Sequence, residues 1–172
     1  MQVVKKLFLV LFVLWFAVLL FMPKQELFYM LEKNLAEQGI VINEKKIDEG
    51  LFSLNLIDAS IFYKGVKVAT VEKINIFTLL FTTNIHISTL ELDDALKTFA
   101  PQKIDSADIT QQPFSPYTVK ISALGSFGEM EGVADLKTGK LRLDFLNTTK
   151  EIDLIRPNLQ KDEKGWYYET SF

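Results

Sequence analysis

The sequence predicts a mainly β protein, with an apolar helix and an amphipathic helix at the N-terminus followed by a curved antiparallel sheet. Three observations lead to this fold class. Residues 7–22 are an unbroken apolar run, and residues 24–38 repeat leucine with a helical period. From residue 40 to residue 172, short segments of alternating apolar and polar residues are separated by turn residues. The pattern leaves three forms of the sheet open: a curved single sheet, an open sandwich or a jellyroll-like domain.

The apolar run 7–22 predicts a transmembrane signal anchor. It carries no charged side chain, and Lys5 and Lys6 stand directly before it. A helix satisfies its own backbone hydrogen bonds, which the lipid interior requires. Sixteen residues fall short of the ~20 that span a bilayer core, and lysine stems that reach the headgroups supply part of the difference. The residues expected to anchor the chain in lipid are Lys5, Lys6, Leu7, Phe12, Trp15 and Phe21.

Charge and cleavage signals set the expected orientation. Basic residues before an apolar helix remain in the cytoplasm, so residues 1–6 are expected inside and residues 40–172 outside the inner membrane. A cleaved signal peptide would need a pair of small residues after the run, and the only small residue nearby, Ala17, lies inside it. An uncleaved anchor is therefore predicted. The absence of cysteine excludes acylation of a lipoprotein cysteine, disulfides and thiol catalysis.

The charge balance excludes one class of partner. The chain carries a formal charge of −3, and because the two lysines before the anchor contribute +2, the remainder carries −5. Acidic and basic residues are mixed, with no basic stripe, so nucleic acid is not an expected partner.

Residues 23–39 predict the second, juxtamembrane helix. Pro23 suits a first helical turn, Leu27, Leu31 and Leu35 recur on one face, and Gly39 suits the position after the helix. Such a helix either caps the following domain or lies on the membrane surface. Its mixed polar face favours the cap.

Alternation predicts the strands that follow. Phe52, Leu54 and Leu56 alternate with polar residues, and a second hairpin is predicted at 132–145 with its turn at Thr138 and Gly139. Residues 101–116 contain three prolines and predict a loop around one short strand at 104–109. Residues 150–156 predict a short helix that Pro157 ends, and residues 165–172 predict a terminal aromatic strand.

No catalytic, metal or cofactor site is predicted, so the chain is expected not to be an enzyme. His86 is the only histidine, which excludes a two-histidine zinc site, and no nucleophile motif surrounds Ser88 or Asp93. The acidic pairs Asp93–Asp94 and Asp105–Asp108 lack the spacing of a calcium loop.

Aromatic residues are the candidate binding groups. Trp166, Tyr168 and Phe172 lie on a strand whose two faces both carry aromatics, so they either enter the core or meet a protein partner. Phe77 and Phe81 belong to a phenylalanine-rich part of the sheet that either packs as a core or holds a lipid acyl chain.

The order of these parts resembles the type II secretion system protein N family, which is itself similar to AsmA-like proteins. The resemblance lies in an anchor ending Phe-Met-Pro, the helix after it, the segment Gly50-Leu-Phe-Ser-Leu-Asn-Leu and, more loosely, residues 128–136 and 141–145. It implies a non-enzymatic accessory subunit of a bacterial protein-export machine in the inner membrane, without cofactor. A weaker similarity to the single-anchor lipopolysaccharide-transport protein with a periplasmic jellyroll implies lipid handling along an apolar interior instead.

Overall fold

The computed structural model describes residues 2–20, 24–79, 82–163 and 165–172, with side chains in the first helix at residues 4–17. Two α-helices, α1 (Gln2–Leu20) and α2 (Lys24–Glu37), precede the strands. The strands are β1 (Ile40–Asn43), β2 (Lys46–Glu49), β3 (Ser53–Tyr63), β4 (Val66–Leu79), β5 (Thr82–Leu92), β6 (Lys103–Gln112), β7 (Ser115–Gly125), β8 (Gly128–Asp135), β9 (Lys140–Leu146), β10 (Gln160–Asp162) and β11 (Gly165–Ser171). Short 3₁₀ turns lie at Asp94–Leu96, Lys150–Leu154 and Arg156–Asn158. The prediction of a mainly β chain with two N-terminal helices is confirmed.

The eleven strands of the described residues belong to one open antiparallel sheet. Its order is β1-β3-β4-β5-β6-β7-β8-β9-β11-β10, and β2 pairs with β3 beside β1. From β3 to β9 each strand pairs with the next one in the chain, so hairpins build the sheet in sequence order. The sandwich and jellyroll alternatives are wrong for the described residues, because a run of sequential hairpins forms one layer rather than two packed sheets.

The sheet has one apolar face and one polar face. Because alternate side chains of a strand point to opposite faces, residues in register form rows across the sheet. One apolar row crosses nine strands: Ile47, Leu56, Ile74, Ile87, Ala107, Ala123, Met130, Phe145 and Trp166. The neighbouring row on the opposite face is polar: Asp48, Asn55, Asn75, His86, Asp108, Ser122, Glu131, Asp144, Tyr167 and Gln160. The fold is thus a one-sided layer whose apolar face needs a cover.

Two segments cover the apolar face at opposite ends. Near the first strands, the ring of Phe28 on α2 is buried against Leu54 and Leu56. Near the last strands, residues 149–159 cross the sheet and bury Ile152 in a cluster that includes Phe127 and Phe145. The rings of Phe127 and Phe145 meet edge-to-face at 6.0 Å between centroids. The core therefore consists of an N-terminal cluster and a C-terminal cluster on one face.

A line of backbone irregularities crosses strands β3 to β6. Asp58 and Thr89 have φ angles of 51° and 50°, although both lie inside strands, and the register of β6 against β7 shifts around residue 105. On either side of an irregularity, the buried apolar residues of a strand are two positions apart, as are Leu54 and Leu56. Across the irregularity they are three positions apart, as are Leu56 and Ala59. The irregularities let both halves of each strand place apolar residues on the same face.

Three sequence expectations need correction. Residues 101–116 are mostly strand: β6 has ten residues, β7 begins at Ser115, and the connection is residues 113–114. On α2 the buried side chain is Phe28, whereas Leu27 and Leu31 are exposed. Pro157 lies inside the third 3₁₀ turn, Arg156–Asn158, instead of ending a helix, since its fixed φ suits the first turn of such an element.

Candidate functional site

The N-terminal helix is the longest exposed apolar segment of the described residues. Every described side chain from Val4 to Phe16 is exposed, including the anchor candidates Lys5, Lys6, Leu7, Phe12 and Trp15. The Phe12 ring contacts neighbouring aromatics of its own helix, with centroids 6.0 Å from Trp15 and 6.4 Å from Phe16. Phe21 lies outside the described residues. Among the helices that the structure describes, none is long and apolar enough to cross a membrane.

An apolar groove lies between α2 and the first strands of the sheet. Its volume is about 240 Å³, and it is lined by Lys24, Leu27, Phe28, Leu31, Phe52, Leu54, Ile76 and Thr78. The exposed side chains of Leu27 and Leu31 form the outer wall of the groove. These two leucines were predicted to face the sheet, and they instead border the groove that lies between the helix and the sheet. A space of this size is smaller than the ~300–1,000 Å³ of small-molecule sites. It is suited to a short apolar segment.

The second helix is fixed to the sheet at both of its ends. At its start, the Lys24 backbone N–H and Nζ donate to Glu49 Oε1 at 3.3 and 3.5 Å. At its end, the backbone N–H of Lys64 donates to the carbonyl of Gly39 at 2.7 Å. The helix therefore runs alongside β3, from the end of the sheet where β3 begins to the end where β3 finishes. This course holds the groove open along one side of the apolar face.

The candidate aromatics of the last strand divide between the two faces. Trp166 and Tyr168 pack against the C-terminal cluster, and the guanidinium of Arg156 lies 5.1 Å from the Trp166 ring. On the polar face, the Tyr167 hydroxyl donates to Gln160 Oε1 at 2.6 Å. Phe172 is exposed, and its backbone N–H donates to the Gly139 carbonyl at 2.8 Å. Trp166 and Tyr168 thus serve the core, while Phe172 is accessible to a partner.

The outer side of this strand is only partly paired. β10 pairs with residues 165–167, and no strand of the described chain pairs with the outer side of Tyr168 to Ser171. Alternate N–H and C=O groups of these four residues point outward, along ~13 Å of strand. Such an edge can accept a strand from another protein.

The two phenylalanines proposed for lipid binding do not come together in the described structure. Phe77 lies in register with Ser53 and Asn84, on the polar face, and is partly exposed. Phe81 lies outside the described residues. The phenylalanines that do line the apolar face are Phe28, Phe52, Phe127 and Phe145, of which Phe28 comes from α2.

The single histidine is paired on the polar face. His86 Nδ1 lies 2.7 Å from Asp108 Oδ1, and both side chains are nearly half exposed. The same polar row carries a further contact, in which Asn75 Nδ2 donates to Asn55 Oδ1 at 2.8 Å. Histidine and aspartate in contact would orient a base, yet nucleophilic catalysis also requires a hydroxyl held against that base. Ser88, two positions along the strand, has no described hydrogen bond to the imidazole.

The acidic residues that could bind a cation have other roles. Asp93 accepts the N–H of Ala95, and the carboxylate of Asp94 forms an ion pair with Lys97, which lowers the pKa of Asp94. Asp105 pairs with Lys103 at 3.0 Å. Within the described chain, no three histidine, aspartate or glutamate side chains are grouped to hold a metal ion.

A strong ion-pair network joins the last strands. Arg142 donates to Asp144 through Nε and Nη2, at 2.9 and 2.7 Å, and to Asp162 at 2.5 Å. These carboxylates raise the pKa of Arg142. Its guanidinium also lies 4.1 Å from the centre of the Tyr167 ring. The network ties β9, β10 and β11 together beside the partly unpaired edge.

The end of the sheet where α2 begins carries exposed apolar residues in or next to its turns, and the apolar periodicity of the sequence does not mark them as a site. Leu51, Phe114 and Tyr117 are 68%, 96% and 61% exposed. The signal in the sequence is a phenylalanine between two prolines, Pro113 and Pro116, within the segment predicted as a loop.

Comparison of the chain with protein-family models, curated proteins and solved structures found no match.

Proposed function

We propose that this chain is a non-enzymatic scaffold of the bacterial inner membrane, and that it serves a protein-export machine related to type II secretion. The run 7–22 would anchor it, with residues 1–6 in the cytoplasm and the sheet in the periplasm. The observation that carries the proposal is the combination of an exposed apolar helix with a sheet that is open at its last strand. The resemblance of the sequence to the type II secretion system protein N family is the reason for proposing this kind of export machine.

The exposure of α1 supports the anchor. Thirteen consecutive residues from Val4 to Phe16 are exposed, and all except Lys5 and Lys6 are apolar. Leaving one Leu or Phe side chain in water forgoes about 1.5–3 kcal/mol that burial would supply. A helix of this composition is stable where lipid surrounds it, and the lysine pair sets its orientation. The proposed anchor extends to Met22, beyond the described part of α1.

The open edge supports the scaffolding role. A strand from another envelope protein could pair with residues 168–171, and main-chain hydrogen bonds would supply much of its affinity. Phe172 stands beside this edge as an exposed aromatic contact. The adjoining Arg142 network joins the strands at this edge by ion pairs, and an edge that is ordered before binding loses less entropy on binding.

Site-specific photocrosslinking in native membranes tests this role. The full chain would carry a photoreactive phenylalanine analogue at Phe172, and a matched variant would carry it at Phe99, which is exposed at the opposite edge. We expect adducts of the first variant, identified by mass spectrometry, to contain secretion-system subunits that are missing from the second. Identical adducts from both positions, or none containing an export component, would refute the proposal.

The groove beside α2 favours a second candidate function, lipid handling. Its wall is apolar apart from Lys24 and Thr78, so an acyl chain could enter it. Leu31→Glu would place a charge on the wall, and Met30→Glu would place one on an exposed neighbouring position outside it. If lipid occupies the groove, native mass spectrometry of the full chain will show bound phospholipid lost in the first variant and retained in the second. Equal lipid retention would remove this candidate.

A further inference from the structure

The turns of the sheet alternate between the two sides on which its strands begin and end. These two turn-bearing edges, which are distinct from the open edge of β11, differ in their residue composition. We call the edge where α2 begins the tether edge; its turns include residues 50–52, 113–114 and 136–139. The opposite edge includes residues 64–65, 93–102 and 147–159. Because successive turns of an antiparallel meander fall on opposite sides, this division follows from the strand order.

Exposed apolar side chains mark the turns of the tether edge, two of which are directly preceded by a carboxylate, Glu49 or Asp135. Segments 50–52, 113–117 and 136–139 contain no carboxylate, and their only charged residue is Lys137. Leu51, Phe114 and Tyr117 are exposed there. At the opposite edge, segments 93–102 and 147–159 carry four carboxylates, at Asp93, Asp94, Glu151 and Asp153, and that of Asp153 forms an ion pair with Arg156. Exposed aliphatic and aromatic residues are typical of a protein surface at the lipid headgroups.

The covalent path from α1 places lipid beside the same edge. The described backbone of α1 ends at Leu20, and α2 begins at Lys24. Four residue steps reach at most ~14 Å, so the end of the apolar helix lies within that distance of Lys24. Lys24 is bonded to Glu49, two positions before Leu51. An anchor that spans the bilayer therefore holds the tether edge near the membrane surface.

We propose that the tether edge rests on the periplasmic surface of the phospholipid bilayer that holds α1, with Leu51, Phe114 and Tyr117 in the headgroup region. This inference rests on the proposed anchor and adds a second point of membrane contact to it. Neighbouring strands rotate by ~20–25°, so the turn at Phe114, three strands from β3, is the furthest turn that the proposed contact includes. The turn at 136–139 lies further along the twist, and the proposed contact excludes it.

Spin labels in three single-cysteine variants test the contact, since the natural chain has no cysteine. Phe114→Cys reports the tether edge, Phe99→Cys reports the opposite edge, and Phe12→Cys reports the anchor. Phe99 and Phe114 are both exposed turn residues, so neither change removes core packing. The full chain would be placed in nanodiscs of phosphatidylethanolamine and phosphatidylglycerol, and accessibility to oxygen and to a water-soluble nickel chelate would be measured.

The expected result is a label at position 12 in the hydrocarbon and a label at position 114 at headgroup depth. Relative to position 99, the ratio of oxygen to nickel accessibility at position 114 should be several-fold higher. If position 12 is in lipid and position 114 matches position 99, the edge contact is refuted while the anchor stands. If position 12 is accessible to the nickel chelate, the anchor itself fails and the edge contact fails with it.

Discussion

Replacing Phe28 with alanine tests whether one buried ring holds α2 to the sheet. Phe28 is 5% exposed and packs against Leu54 and Leu56. An aromatic side chain buries ~150–250 Å², and at ~25 cal/mol per Å² that area corresponds to about 4–6 kcal/mol. This is an upper bound, because an unfolded chain already buries part of the area. Phe→Ala changes in protein cores cost about 3–5 kcal/mol.

The groove beside Phe28 sets the expected value within that range. A space of about 240 Å³ already borders the ring, so solvent or lipid can fill the site after truncation. We therefore expect a loss of about 3 kcal/mol, at the low end of the range for such changes. The loss should fall on α2, because the other buried side chains of this cluster belong to β3.

Hydrogen exchange measured by mass spectrometry on the full chain in detergent micelles is the assay. A loss of about 3 kcal/mol corresponds to roughly 100-fold faster exchange of the α2 amides. Amides of β7 and β8 should exchange at their original rates, since those strands lie outside the N-terminal cluster. Met30→Ala, at a 64% exposed position of the same helix, is the control and should change little. If Phe28→Ala leaves α2 exchange unchanged, the helix is held by other contacts and the reasoning fails.

Three further predictions concern other parts of the fold. Ile152→Ala, at a 1% exposed position, should lower the free energy of unfolding in urea by about 3 kcal/mol, whereas Leu154→Ala should cost far less; equal losses would contradict the C-terminal cluster as drawn. Thr89→Asn should raise the melting temperature, because the positive φ costs a β-branched residue about 1–2 kcal/mol that asparagine partly avoids; a fall would refute strain at this position. Two backbone N–H groups of its turn lower the pKa of Asp135. A lowered folded-state pKa gives stability that is present at neutral pH and lost as pH falls through that pKa, so the melting-temperature gap between the natural chain and Asp135→Ala should narrow in acid; a gap independent of pH would contradict this.

Local patterns predicted the strands where one face is clearly apolar. Leu54 and Leu56 alternate with polar neighbours, and both are buried, while the hairpin around Gly139 follows its turn residues. The same patterns failed for β6. Ser106, Asp108 and Thr110 occupy the polar face of a one-sided sheet, where strand residues have the composition of a loop.

Tertiary geometry explains what the sequence could not predict. At Asp58 the spacing of buried apolar residues changes from two positions to three. A pattern of alternating residues predicts a regular strand and therefore gives no sign of the positive φ at this position. On α2, the leucine stripe predicted the covered face, but contact with the sheet is narrow and takes Phe28 instead. The aromatics of β11 were correctly expected on both faces, whereas their division between core and surface depends on residues 149–159, which are distant from them in sequence.

The positions of the two core clusters separate the scaffold from the lipid carrier. The N-terminal cluster lies beside the proposed anchor, and the C-terminal cluster lies beside the open edge of β11. Seven strand steps of ~4.8 Å separate β3 from β11, so a partner at the open edge would be held ~34 Å along the sheet from the anchored end. A scaffold depends on both clusters, because the whole ladder must stay ordered to fix that distance. Lipid in the groove depends on the N-terminal cluster alone. If the chain is a scaffold, Ile152→Ala should therefore weaken crosslinking from position 172. If it is a lipid carrier, the same change should leave its lipid retention unchanged.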